Sequence, residues 1–301
     1  MKYTTWFKKK EEERIVADCL GCLSRTALRD LPDDVPEKKK MEYATWVCGT
    51  LGKVVPQNSA PDLSRKLHHK RDAVIGDGKD FSGIKSYFNK KMMGLVPEIR
   101  SEIRKAEDPL LRAIRYSLCG NIIDFSVPQG VTEEMIRDTM AASSEMPVDP
   151  EKVSELREQL QKAGNLLLVT DNCGEIVFDK LLLEEVKREY PHLKLQAMVR
   201  GGVCLNDATR EDAEEIALSE VAEVWDNGDN SAGTIPERIS EEAGRILLSA
   251  DLIWAKGQGN VETLHGCGLN AYYFFLCKCD YFVNHFGVTR NTGMILHDRE
   301  W

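Results

Sequence analysis

The chain has 301 residues and is 42% hydrophobic, enough to bury the core of one large domain or two smaller ones. Its formal net charge of −9 argues against a general nucleic-acid binder, which needs a basic surface. No apolar run approaches the roughly 20 residues of a membrane span, the N-terminal MKYTTWFKKKEEER lacks the apolar core of a secretory signal, and the nine cysteines are too dispersed for a secreted disulfide scaffold.

A reducing cytoplasm is the natural setting, with no membrane or nucleic-acid partner expected. The charge is uneven: residues 1–100 carry a net +6 and the remainder a net −15. An acidic second half suits a cation-binding site, although most such carboxylates are solvated helix faces.

In chain order, residues 1–150 read as a helical domain. Segments 41–55, 84–106 and 108–125 have apolar residues spaced by three and four, and Pro36, Pro56, Pro61, Pro97, Pro109 and Pro128 punctuate them. Residues 58–83, with several Gly and Asp, read as a connecting region. The sequence GNIIDF (120–125) reads as a helix break followed by a strand-like piece.

From about residue 150 the pattern changes. After a helix over PEKVSELREQLQKAG come the apolar runs NLLLVTD, LKLQAMVRG, AEVWDNG and DLIWAKG, then a last one around YFFLCKCDYFV. Helical segments such as EIVFDKLLLEEVKREY, REDAEEIALSEV and PERISEEAGRILLS lie between them. Strands alternating with helices predict an α/β fold: a Rossmann-like, three-layer α/β/α domain over 151–301 with a mainly parallel sheet, joined to the N-terminal helical domain.

Four predicted strand ends then share one rim: TDNCGE (170–175), RGGVCLND (200–207), DNGDNSAGT (226–234) and KGQGNVET (256–263). A Gly there is commonly a turn and an Asp commonly a helix cap, and Asp207 could cap a helix starting near Ala208. Four polar loops on one rim favour a small-molecule site beyond the strand ends.

Asp171, Asn172 and Asp207 offer two carboxylates and an amide carbonyl, a hard-oxygen set suited to Mg²⁺ or Mn²⁺ and permissive of Co²⁺ or Ni²⁺. Lys256, after the strand DLIWA, could hold a phosphate oxygen, or be an ordinary solvated loop lysine. Neither GxxxxGK[ST] nor a complete GxGxxG occurs, which disfavours a Walker-type NTPase and a dinucleotide site. The Asp-x-Asp pair of aspartyl-phosphate phosphatases is also missing. Cys19 and Cys22 form a CxxC, half of a structural zinc set that Cys277 and Cys279 could complete if the chain ends meet; buried small residues are the commoner use of such cysteines. No histidine is assigned a role.

Taken together, DNCGEIVFD, RGGVCLNDATREDA, DNGDNSAGT and AKGQGNVET resemble the metal-dependent damage-control phosphatases, the acidic-residue-methyltransferase-like family. In the helical half, ADCLGCLSRTALR (17–29), GDGKDFSGIKSYFN (76–89) and EDPLLRAIRYSLCGNIIDF (107–125) resemble blocks of its compact subfamily with an N-terminal CxxC. The resemblance implies a divalent-metal-dependent phosphoric monoester hydrolase acting on small phosphorylated metabolites such as sugar phosphates. It implies Asp171, Asn172 and Asp207 as metal ligands, with Asp171, Asp207 and Lys256 catalytic and Lys256 holding the transferred phosphate. It implies Glu175, Asn121, Asp124, Asn260 and Glu262 as pocket residues. Where the family often has Asp-Pro-Tyr, this chain has Asp80-Phe81-Ser82. The nucleophile is either an activated water or Asp171.

Two alternatives stand beside this reading. One is an S-adenosylmethionine-dependent carboxyl methyltransferase, the other a non-catalytic metabolite-binding protein. Chelator-sensitive phosphate release, cofactor binding without metal, and tight binding without turnover separate the three.

Overall fold

The computed structural model describes residues 15–29, 31–76, 80–120, 138, 141–143 and 145–300. Asn121 and Asp124 lie outside the described residues, as does most of GNIIDF.

Five helices occupy the described N-terminal part: α1 (Ala17–Leu28), α2 (Glu37–Leu51), α3 (Ala60–Val74), α4 (Ser82–Lys105) and α5 (Pro109–Cys119). The expected connecting region at 58–83 is therefore corrected, because α3 runs through it. Ser59 caps the helix by accepting from the Asp62 N–H, and Pro61 sits in the first turn, where its missing N–H costs nothing. The run SRKLHHKRD looks polar, but Leu63, Leu67 and Val74 recur at helical spacing and pack with Leu23, Tyr43 and Val47 in one cluster.

From α6 (Pro150–Lys162) onward strands and helices alternate, as the apolar runs predict. The strands are β1 (Asn165–Val169), β2 (Lys194–Val199), β3 (Glu223–Asp226), β4 (Leu252–Lys256), β5 (Ala271–Leu276) and β6 (Gly293–His297). The helices between them are α7 (Glu175–Glu189), α8 (Arg210–Glu215), α9 (Glu241–Ser249), α10 (Gln258–Leu264) and α11 (Asp280–Phe286). The predicted helix over REDAEEIALSEV is shorter, because Ala217 turns left-handed (φ 52°) and the chain goes on as a 3₁₀ turn, Leu218–Glu220. β6 was not anticipated.

The sheet order is β3-β2-β1-β4-β5-β6, with five parallel strands and β6 antiparallel to β5. Its two faces follow from the period of two along each strand. Leu166 and Leu168 of β1 pack into one cluster with α7, α4 and α5, while Leu167 and Val169 pack into the other with α9 and α10.

Because α4 and α5 cover α7 from outside, α7 is buried nearly all round and contributes Ile176, Phe178 and Leu182 to the core. Phe88, Met92 and Ile114 join that same core, so apolar packing runs continuously across residue 150. Full burial of a side chain such as Ile114 contributes about 1.5–3 kcal/mol.

Candidate active site

In this strand order the connectivity reverses between β1 and β4, so a crevice opens beyond their carboxyl ends. Asp171 and Asn172 lie just past β1 at that crevice, and Lys256 ends β4. The backbone clips the loop after β1 to the loop after β2. The Ala208 N–H donates to the Asp171 carbonyl (2.7 Å), and the Cys173 N–H donates to the Asn206 carbonyl (2.8 Å). Asn172 and Asp207 form an isolated antiparallel bridge. Asp171, Asn172 and Asp207, some 36 positions apart in sequence, are thus brought together.

Asp207 is not a helix cap. Thr209 caps α8 in a reciprocal box with Asp212, which leaves Asp207 buried on the rim with its carboxylate turned to Arg200. The Asn172 amide N–H₂ donates to Asp171 Oδ2 (2.8 Å) and to Glu175 Oε2 (3.2 Å). Its Oδ1 is therefore the atom of that amide suited to a cation. Gly174 (φ 70°) makes the turn into α7, and its N–H donates to Asn89 Oδ1 of α4 at 2.7 Å. Asn89 also donates to Asp212 (2.8 Å), so α4 holds the first rim loop and the start of α8 together.

The electrostatics are unbalanced. Burial pushes the Asp171 carboxyl well above its ordinary range, and the charges of Asp207 and then Glu175 add to this, with Arg200 opposing. Burial also raises Asp207, against the pull of Arg200. Asp179 is pushed up to about 6, by burial first, with Lys256 opposing and Glu175 adding. Four carboxylates in this region, Asp171, Glu175, Asp179 and Asp207, face two buried cations, Arg200 and Lys256. Lys85 is already paired with Asp212 at 2.6 Å. Lys278 also acts on Asp171, and still, among the described residues, acidic groups outnumber cationic ones here, which suits a divalent cation.

Lys256 ends β4 with its ammonium fully engaged by protein groups. Its Nζ donates to the Ser117 carbonyl (2.7 Å) and Ser117 Oγ (2.6 Å) and pairs with Asp179 (2.8 Å) and Glu175 (2.8 Å), and the side chain is 1% exposed. Burial works against its charge, but Asp179 and Glu175 outweigh it and hold the ammonium above its ordinary range. Asn260 is a buried tie: its Nδ2 donates to the carbonyls of Thr170 and Lys256, and its Oδ1 accepts from Arg200 Nη1 (3.1 Å) and Thr234 Oγ1 (2.9 Å). Glu262, in the last turns of α10, is raised by burial to about 7.

Arg200 is the residue that sequence reasoning missed. Its Nε donates to Asp207 Oδ2 (2.7 Å), and its Nη2 lies 3.6 Å from Asp171 Oδ1. That Nη2 is buried and makes no hydrogen bond among the described residues. An orphaned donor beside two carboxylates fits an oxyanion better than it fits an empty pocket. The available signal was a charged residue closing the apolar run LQAMV just before Gly-Gly. Asp179 and Ser117 were missed as well, since each reads locally as part of an ordinary amphipathic helix.

A model of the "Damage-control phosphatase ARMT1-like domain" family matches residues 15–293. The chain belongs to that family. Membership of it makes the protein a phosphatase of the hydrolase class. A damage-control phosphatase of Archaeoglobus fulgidus is 33% identical over 233 residues, covering 75% of this chain and 78% of that one. An uncharacterized protein of Methanocaldococcus jannaschii is 29% identical over 299 residues, covering 95% and 96%. A damage-control phosphatase of Pyrococcus horikoshii is 35% identical over 174 residues, 56% of this chain and 58% of that one. Among solved structures, a DUF89 family protein of Pyrococcus horikoshii superposes with a TM-score of 0.79 at 24% identity, covering 94% of this chain and 99% of that one, and so shares the fold.

Among the described residues, no three His, Cys, Asp or Glu side chains are gathered as a metal-ligand cluster. The candidate set here is two carboxylates and an amide. Its chemistry fits a hard divalent cation, because carboxylate and amide oxygens are the donors such ions take, and a bound cation would offset the burial and mutual repulsion that raise the Asp171 carboxyl. The described cysteines are free thiols. Cys19 and Cys279 lie near each other: the Cys19 thiol is raised by burial, and Glu262, Cys279 and Cys22 add to that. No helix among the described residues is long and apolar enough to cross a membrane.

Proposed function

We propose that this chain hydrolyses monoesters of small phosphorylated metabolites, with a divalent cation held by Asp171, Asn172 and Asp207. The observation that carries the reading is the gathering of Asp171, Asn172 and Asp207, with Glu175 beside them, at the β1/β4 switch point. When bound, Mg²⁺, Mn²⁺, Co²⁺ or Ni²⁺ would neutralise phosphoryl charge and polarise the P–O bond.

The chain's own groups do the rest. Arg200 Nη2 donates to a phosphoryl oxygen, and it is positioned for this by Asp207 on one side and Asn260 on the other. Asp207, fixed through one oxygen, orients the attacking water and takes its proton. Water adds to phosphorus as its proton passes to Asp207, the ester P–O bond breaks, and the leaving oxygen takes up a proton from solvent, so the products are the free alcohol and inorganic phosphate. Lys256 acts indirectly: it pairs with Glu175 at 2.8 Å, and Glu175 sets the direction of the Asn172 amide. Asn260 and Glu175 therefore serve as positioning residues.

The test is phosphate release from an aryl phosphate and a panel of sugar phosphates, in EDTA and with each of the four metals, for the wild type and Asp171→Ala. Turnover restored by metal and lost in Asp171→Ala is the expected result. A folded wild type that releases no phosphate with any of the metals would overturn the reading.

A further inference from the structure

Helix α3 lies across the rim, and beneath it is a cavity of about 440 Å³. That volume suits a ligand the size of a sugar phosphate. One wall comes from a single face of α3, where Ser64 and Arg65, His68 and His69, and Arg71 and Asp72 follow each other at helical spacing. Arg29, which follows α1, completes this wall, and Arg71 Nη1 donates to its carbonyl at 3.4 Å. Among the described residues, three guanidinium groups and two imidazoles line the cavity, with the carboxylate of Asp72.

Arg65 is held loosely. Its Nη2 reaches Asp62 Oδ1 only at 3.4 Å, Asp62 is shared with Lys66, and the buried Arg65 Nε makes no hydrogen bond among the described residues. A partly exposed, incompletely bonded guanidinium in a basic cavity calls for an anion.

The opposite wall belongs to the rim loops. Val203, Cys204 and Leu205 line it, and the Asp207 N–H closes a turn onto the Cys204 carbonyl at 2.9 Å. That turn carries Asp207 from this wall to its bridge with Asn172, so the cavity adjoins the candidate site. Asn230 and Ala232 of the third rim loop extend the wall, and Asn230 Nδ2 meets His69 Nε2 at 3.2 Å, joining α3 to the rim.

We propose that this cavity is the substrate's second anion subsite: the preferred substrates are small phosphate esters that carry a further phosphate or carboxylate, gripped by Arg65, Arg29 and Arg71 while the scissile phosphate sits at Asp171 and Asp207. This rests on the phosphatase reading above and narrows its substrate class. With the cationic groups on one side and the 204–207 turn carrying Asp207 on the other, the two anionic ends of a substrate are held apart, which fixes the phosphate that is cleaved.

The experiment compares kcat/KM for a sugar bisphosphate, a phosphorylated sugar acid and the matching sugar monophosphate, in the wild type, Arg65→Gln and Arg29→Gln. The expected wild-type preference for a dianionic-tailed substrate over the monophosphate is at least about 10-fold, carried mainly by KM. In either variant the ratio should fall toward one, whereas mere misfolding would lower all three substrates together and leave the ratio alone. The bisphosphate and sugar-acid arms separate a phosphate from a carboxylate as the second group. No preference in the wild type, or a ratio unchanged in both variants, overturns the proposal. If the wild type hydrolyses none of the three, the phosphatase reading fails first, and the subsite is then judged by calorimetric titration with inorganic pyrophosphate in EDTA. Binding weakened about 10-fold by Arg65→Gln upholds the anion subsite, and no binding overturns it.

Discussion

Gly257 leaves the space that the Asp171 carboxylate occupies: a Cβ placed on Gly257 would fall 2.1 Å from Asp171 Oδ2. Gly257 also has φ +79°, a conformation that side chains with a Cβ rarely adopt. Both constraints come from one junction, the end of β4 turning into α10 directly opposite the end of β1. Gly257→Ala should therefore displace Asp171 and strain the turn. The expected result is a loss of turnover on the order of 100-fold with a stability loss of about 1–3 kcal/mol. Steady-state kinetics and thermal unfolding in the presence and absence of Mn²⁺ check both parts.

Asp171→Asn separates catalysis from stability. Removing a buried charge that Asp207 and Glu175 repel should raise the unfolding temperature of the metal-free protein. The same change should abolish the rise in unfolding temperature that a divalent cation gives the wild type. Differential scanning measurements in EDTA and in Mn²⁺ decide it; a metal-free variant less stable than the wild type would contradict the charge surplus.

Lys256 supports two carboxylates, Glu175 and Asp179, so Lys256→Met should cost about 3–5 kcal/mol by leaving them buried without a counter-charge. Adding Asp179→Asn should recover part of the loss. A double-mutant cycle by urea unfolding measures the coupling, and additive effects would show that the pair does not interact.

The pH dependence follows from the raised acids. An acid with a folded pKa above its unfolded value holds its proton more tightly when folded, so its contribution to stability is present at low pH and lost as pH rises. For Asp179 the loss runs from the ordinary carboxyl range near ~4 to about 6, and for Glu262 it continues to about 7. Metal-free unfolding temperature should therefore fall across this window. Asp179→Asn and Glu262→Gln should each flatten the fall, as read from thermal scans in EDTA at half-unit pH steps.

The tie through Asn89 makes a further test of how the rim is held. Asn89→Ala removes the acceptor of the buried Gly174 N–H and a donor to Asp212, which should cost about 1–3 kcal/mol. Turnover should fall with it while the pH profile keeps its shape, since no titrating group is removed.

The sequence by itself determined the alternation of strands and helices after residue 150, because runs such as NLLLV and LIWA are short, apolar and bounded by Gly or Asp. It also placed Asp171, Asn172 and Asp207 on strand-to-helix turns, since local pattern fixes where a strand ends. The helix α3 was hidden, because its buried stripe is only Leu63, Leu67 and Val74 within a polar run, and its packing partners come from other helices. Tertiary structure alone decided the partners of the long side chains. Lys256 looked like a rim lysine, yet it turns inward to Ser117, Glu175 and Asp179, because α5 and α7 bring those groups beneath the end of β4. Arg200 and the basic wall of α3 gained their meaning in the same way. Which charges face each other depends on contacts between residues far apart in the chain, and a local pattern carries no record of them.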